Sequence, residues 1–153
     1  MLLWIEAVTD RSQSDVYRVL ELLKKGWKDF SDSEKQEWSA GMKGSLNASD
    51  LERVQNNIQL LSDVLELNLA VSEVPEFPTV SLFNEIRENT GKIRNAYCIH
   101  STTPIVPDEP LNTFEKWNDI ERILDDVYKI LLNNFHYYCG TEIYAGESNG
   151  LLL

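Results

Sequence analysis

Three apolar stripes, each stepping by three and four residues, constrain this chain more than anything else in it. Leu51, Val54, Ile58, Leu61 and Leu65 form the first, and Phe83, Ile86, Thr90, Ile93 and Tyr97 the second. Trp117, Ile120, Leu124, Val127 and Leu131 form the third, reinforced by Ile123 and Ile130. Such stepping collects apolar side chains on one face of a helix, and that face needs another helix to cover it. The stripes predict a mainly α fold: a bundle of three long helices with one or two short ones.

Local signals place the ends. Ser12 or Ser14 caps a first helix carrying Val16, Val19, Leu20 and Leu23, which Lys24-Lys25-Gly26 closes with a basic last turn and a glycine. Ser31-Asp32-Ser33-Glu34 caps a short second helix to about Ala40, stopped by Gly41 and Gly44. Asn47 caps the first long helix, Ser81 restarts the second, and Asn112 or Thr113 caps the third. Between them lie two proline-bearing connectors, about 71–80 and 101–111. The first is expected to reverse the chain. The second is expected to be extended, held to the bundle by Ile105 and Val106. Gly91, inside the second stripe, suggests that another backbone comes close there.

The two ends depart from helical period. Leu3, Ile5 and Ala7 alternate with polar or aromatic neighbours as a short strand would. Phe135 to Cys139 and Glu142 to Ala145, parted by Gly140-Thr141, read as a β-hairpin, a β element at about 135–146. Leu151 to Leu153 are expected to pack beside the Met1 to Ala7 segment or on a neighbouring chain. The two ends together suggest a small sheet.

With 153 residues the chain is the size of one domain, 1–153. Its net charge of −11, with no run of Lys or Arg longer than two, disfavours a nucleic-acid partner. No apolar run approaches the length of a membrane span, and Met1-Leu2-Leu3-Trp4-Ile5, followed by Glu6 without a basic flank, does not read as a signal peptide.

Few residues suggest chemistry. Cys98, His100, His136 and Cys139 make a Cys₂His₂ inventory that suits tetrahedral zinc, but the spacing matches no finger or ribbon. They read first as packing residues, with zinc or a Cys98–Cys139 disulfide as the alternatives, and no cofactor is expected. Asp119, Glu121, Asp125 and Asp126 share one helix and read as a solvated acidic face, not an acid–base pair. No nucleophile elbow, phosphate loop or dinucleotide fingerprint is present, so the expectation is a protein that is not an enzyme. Tyr137, Tyr138 and Tyr144 are the candidate binding residues, offering flat faces to a sugar or a partner protein. Trp27, Trp38 and Trp117 are expected in the core.

One internal echo stands out. Asp50-Leu51-Glu52-Arg53-Val54 and Asp119-Ile120-Glu121-Arg122-Ile123 match in type at each position, each preceded by Leu-Asn. Two related helical hairpins would produce this, as would the ordinary make-up of amphipathic helices.

Longer phrases carry a resemblance. Trp4-Ile5-Glu6-Ala7-Val8-Thr9-Asp10-Arg11, Ala40-Gly41-Met42-Lys43-Gly44-Ser45-Leu46-Asn47 and Asp50-Leu51-Glu52-Arg53-Val54 do so in the first half. Leu111-Asn112-Thr113-Phe114-Glu115-Lys116-Trp117-Asn118-Asp119-Ile120-Glu121 and Tyr137-Tyr138-Cys139-Gly140-Thr141-Glu142-Ile143-Tyr144-Ala145-Gly146-Glu147 do so in the second. The chain thereby resembles tail and baseplate structural proteins of prophages of Gram-positive bacteria. The resemblance implies a non-enzymatic structural component that assembles with other tail proteins or with itself. It further implies the bacterial cytoplasm during assembly and the virion tail afterwards. A receptor- or glycan-binding module built on the tyrosines is the alternative reading, and a small cell-wall hydrolase a third.

Overall fold

The computed structural model describes the backbone of residues 2–139 and the side chains of residues 2–134. Five helices are described: α1 (Gln13–Lys25), α2 (Asp32–Ser39), α3 (Ala48–Val64), α4 (Val80–Ala96) and α5 (Phe114–Cys139), with a 3₁₀ turn at Trp27–Asp29. Three of their starts are capping boxes. Ser12 with Asp15, Ser31 with Glu34, and Asn47 with Asp50 each satisfy two backbone amides that a helix start would leave bare. Gly26 and Gly41 take positive φ, 79° and 85°, where α1 and α2 give way to turns. α4 starts one residue before Ser81, on a Thr79 cap.

The stripes pack as their spacing demands. Leu51, Val54, Ile58 and Leu61 of α3, Leu82, Ile86 and Ile93 of α4, and Trp117, Ile120, Leu124 and Val127 of α5 form one buried cluster, joined by Leu111. Val19, Leu22, Phe30 and Met42 form a second, smaller one, with Trp38 against it.

The three long helices run parallel, and each groove between them holds an extended strap running the opposite way. The first strap, residues 2–11, passes Asn57 with Ile5 and Asp50 with Arg11 on α3, and Tyr128 with Trp4 and Asn118 with Arg11 on α5. The second descends α3 from Ser62, which accepts from the Leu69 amide, to Gln55, which donates to the Ser72 carbonyl. On α4 the same strap passes Asn89 at Ala70 and Glu85 at Ser72. The third passes Arg94 at Pro104 and Arg87 at Glu109 on α4. On α5 it passes Asp126 at Thr103 and Trp117 at Leu111. A helix of 17 residues is about 25 Å long, so a parallel successor needs a return of some eight extended residues. The proline-bearing connectors supply those returns, since proline favours extended backbone over helix.

This topology corrects the expected single reversal at 71–80. The chain reverses just after α3, where the Leu67 amide bonds the Ser62 carbonyl and Glu66 sits at φ 54°, and it reverses again before α4. It also sets aside two related helical hairpins as the source of the internal echo and leaves the ordinary make-up of amphipathic helices. The repeating unit is a strap followed by a helix, seen three times, with α1 and α2 inserted between the first strap and its helix. The two echoing segments are not equivalent in surroundings. Glu121 is buried whereas Glu52 is exposed, and Arg53 is mostly covered whereas Arg122 is exposed.

Other expectations are corrected too. Residues 2–12 form no strand, because the side-chain amide of Asn57 takes the place of a partner strand: it accepts from the Ile5 amide at 3.0 Å and donates to the Ile5 carbonyl at 2.7 Å. Phe135 to Cys139, read as the first arm of a β-hairpin, continue α5. No proline or glycine stands between Phe114 and Cys139, and extending a formed helix is far easier than starting a new element. Residues 140–146, the rest of that hairpin, and Leu151 to Leu153 lie outside the described residues. Ile105 is exposed, and only Val106 turns inward, placing a methyl 3.6 Å from where a Cβ on Gly91 would stand. That is ordinary contact, so Gly91 is not there for a close backbone. The close approach is at Gly44, where a Cβ would overlap the backbone of Asp15 and Val16 at the start of α1. On α1 the covered residues are Val19 and Leu22, while Leu20 and Leu23 are exposed. Trp117 is in the core and Trp38 borders the small cluster, but Trp27 is exposed.

Candidate functional site

The densest polar chemistry in the described residues lies where the first strap meets α3 and α5. Arg11 enters from the strap, Asp50 and Arg53 from the first turns of α3, and Asn118 and Glu121 from α5. The Arg11 guanidinium donates to Glu121 at 2.7 Å and Asp50 at 3.1 Å, and to the Val8 carbonyl at 2.6 Å. Arg53 bridges the same two acids, at 2.7 and 2.8 Å to Glu121 and 2.6 Å to Asp50. Asn118 clips the strap by accepting from the Arg11 amide and donating to its carbonyl.

No carboxylate oxygen of Asp50 or Glu121 is left over. Glu121 Oε2 also accepts from the Val8 amide at 2.8 Å, and Asp50 Oδ2 accepts from the Asn47 amide at 2.9 Å. Burial pushes the Asp50 carboxyl up. The Asn47 amide, the Arg53 hydrogen bond and the two arginine charges outweigh it and hold Asp50 below the ordinary carboxylate value. The hydrogen bond to Glu121 raises Arg53 above its ordinary value. Saturated this way, the acids serve as fixed anions for two arginines and have no lone pair free to take a proton from a substrate. A cleft of about 470 Å³ lined by Val8, Asp10, Lys43 and Ser49 reaches the edge of the cluster, with Lys43 tied to Asp10 at 2.6 Å.

The acids of α5 are therefore not the solvated face expected of them. Glu121 is only 1% exposed, and Asp125 is buried with Lys129 on one oxygen at 2.7 Å. Asp126 accepts from the Thr103 hydroxyl and pins the third strap. Among the described residues Asp125 Oδ1 and Gln55 Oε1 are buried without a hydrogen-bond partner.

A second feature is an apolar groove of about 540 Å³ at the end of the bundle where α3 and α4 finish. Leu2, Leu3 and Trp4 of the first strap, Leu60 and Val64 of α3, Tyr97 after α4, and Tyr128, Leu131 and Leu132 of α5 line it. Trp4 lies flat on Tyr128, ring centroids 4.1 Å apart, and Asn134 donates to the Tyr97 hydroxyl at 2.7 Å. Among the described residues no charged side chain lines it.

The residues singled out in the sequence are not gathered at either place. Cys98 and His100 are both exposed on the segment after α4. The backbone of His136, Tyr137, Tyr138 and Cys139 is helical, their side chains lie beyond the described ones, and Tyr144 lies outside the described residues altogether. Among the described residues no cluster of His, Cys, Asp and Glu could hold a metal ion, and no helix is long and apolar enough to cross a membrane.

Sequence reasoning missed Arg11 and Glu121 as a pair. The only local signal was Asn118-x-x-Glu121 on the side of α5 next to the Ile120 and Leu124 stripe. No family model, curated protein or solved structure matches the chain.

Proposed function

We propose that this chain is a non-enzymatic structural component that works by protein–protein assembly, in the phage tail or baseplate setting that its sequence phrases resemble. The observation that carries the reading is an uncovered apolar ridge on α1. Tyr17, Leu20 and Leu23 follow one another at three-residue spacing, Trp27 continues the line, and they are 63%, 44%, 58% and 53% exposed. A helix that turns four large apolar side chains to water along one line is suited to docking on a partner. The saturated acid cluster supports the same reading, because the most elaborate polar constellation here holds elements together and leaves no group free for chemistry. The insertion of α1 and α2 between strap and helix offers the ridge to a neighbour without disturbing the bundle core.

The test is sedimentation and cross-linking of the full chain, alone and with the other proteins of its particle. Association should be lost in Leu20→Glu/Leu23→Glu with helical circular dichroism unchanged. A wild-type chain that stays a 17.6 kDa monomer and cross-links to no particle protein through α1 would refute the reading.

A further inference from the structure

We infer that the partner of the α1 ridge is a second copy of this chain, which offers it the acidic, apolar turn ahead of α4, residues 73–80; this rests on the assembly reading above and gives its ridge an occupant. Phe77 and Val80 are 78% and 74% exposed, on a bend that carries Pro75 and Pro78 and runs into the first residue of α4. Glu73 and Glu76 flank them, both exposed and, among the described residues, without an ion-pair partner. No Lys, Arg or His stands between Arg53 and Arg87, a stretch that holds Asp63, Glu66, Glu73, Glu76 and Glu85. Arg87 itself is bound to Glu109 at 2.6 Å.

The ridge is edged by the opposite sign. Arg18 is matched by Glu21 and Glu37, and Lys25 by Glu34. Lys24 and Lys28, next in sequence to Leu23 and Trp27, are exposed, and among the described residues they and Asp29 have no ion-pair partner. In a chain of net charge −11 that is a local surplus of positive charge. Ridge and turn are both exposed, so neither covers the other within one chain. Ridge on ridge would set Lys24 and Lys28 against the same lysines, and turn on turn would set Glu73 and Glu76 against the same acids. Ridge on turn buries apolar surface on both sides and puts opposite charges at the rim, which is the make-up of a specific protein contact. The two patches share one end of the bundle. Gln13 and Val16 of α1 line a cleft with Phe114 and Glu115 at the start of α5, and the turn leads into the start of the parallel α4. Whether two copies exchange these patches reciprocally or continue head to tail, each contact joins the same two surfaces.

The experiment is sedimentation of the full chain over a range of concentrations, with helical circular dichroism as the folding check. The wild-type chain should self-associate, and less so as salt rises. Lys24→Glu/Lys28→Glu and Glu73→Lys/Glu76→Lys, all at exposed positions, each set like charges across the contact. Each should raise the concentration needed for association about tenfold or more. Mixing the two variants restores opposite charges in both possible contacts, acidic ridge on basic turn and basic ridge on acidic turn, so association should return. Phe77→Ser should weaken it without any change of charge. A mixture that stays apart, or a Glu73→Lys/Glu76→Lys chain that associates as the wild type does, would overturn the proposal. A monomeric wild-type chain that cross-links through α1 to another protein of its particle would overturn it as well, yet leave the assembly reading standing, whereas a chain that does neither overturns both.

Discussion

Arg11 and Glu121, 110 residues apart in sequence, meet at 2.7 Å with both side chains almost fully buried. Two arginines depend on that one glutamate, so Glu121→Ala should cost about 3–5 kcal/mol in urea unfolding by stranding buried positive charge. Replacing Arg11, Arg53 and Glu121 together by apolar residues should recover much of the loss. A single-variant cost under about 1 kcal/mol would mean that water reaches the cluster.

Asn57 imitates a neighbouring strand for Ile5. Asn57→Ala removes both hydrogen bonds and should cost about 1–3 kcal/mol. Hydrogen exchange at the Ile5 amide should speed up well before the core of α3 does. Asn57→Asp, which sets a buried carboxylate oxygen against the Ile5 carbonyl, should cost more than the alanine variant at neutral pH.

The glycines and one left-handed residue give changes of opposite sign. Gly44→Ala forces a Cβ into the α1 backbone and should loosen the α1 unit, whereas Gly91→Ala, meeting only a Val106 methyl, should stabilise by about 0.5–1 kcal/mol. Glu66→Gly should also stabilise, by up to about 1 kcal/mol, since a non-glycine residue at φ 54° is strained. Thermal unfolding of the three variants decides the signs.

Acid should undo the helix starts. Asp50 lies below its ordinary value of 3.8 when folded, and Glu34, tied to Lys25, is held down to about 2. A depressed carboxyl stabilises the fold above its unfolded value, and that contribution is lost as pH falls through the folded value. Stability contributed by these caps should be flat from neutrality to about pH 4.5 and decline below it. Glu34→Gln should flatten part of the decline, as followed by circular dichroism against pH.

Core and strap can be told apart by one pair of variants. Leu61→Ala opens a cavity among α3, α4 and α5 and should cost about 2–5 kcal/mol, whereas Ile105→Ser, at an exposed position, should stay within about 0.5 kcal/mol.

The helices were legible because their causes are local. Ser12, Ser31 and Asn47 each announce a start within four residues, and the stepping of Val54, Ile58, Ile86, Ile93, Ile120 and Leu124 names the buried face. What was not legible depends on partners far away in the chain. Nothing near Glu121 or Asp125 says that the face is covered by a strap from the far end of the sequence, so their carboxylates read as solvated. The alternation at Leu3, Ile5 and Ala7 correctly signals extended backbone, but its hydrogen bonds go to side chains of α3 and α5, which a strand reading does not anticipate. At Phe135 to Cys139 the aromatic content suggested strand, and continuation of a helix already 21 residues long overrode it.

The mutual neutralisation of Arg11, Asp50, Arg53 and Glu121 also bears on descent. Each holds the charge of another where water does not reach, so losing one strands its partners, and replacement should come as a set or not at all. Leucine, isoleucine and valine, by contrast, exchange readily within a seam as long as volume is kept. An arginine ahead of an Asp-x-x-Arg step, with an Asn-x-x-Glu step later in the chain, should therefore outlast the apolar stripes as a mark of ancestry.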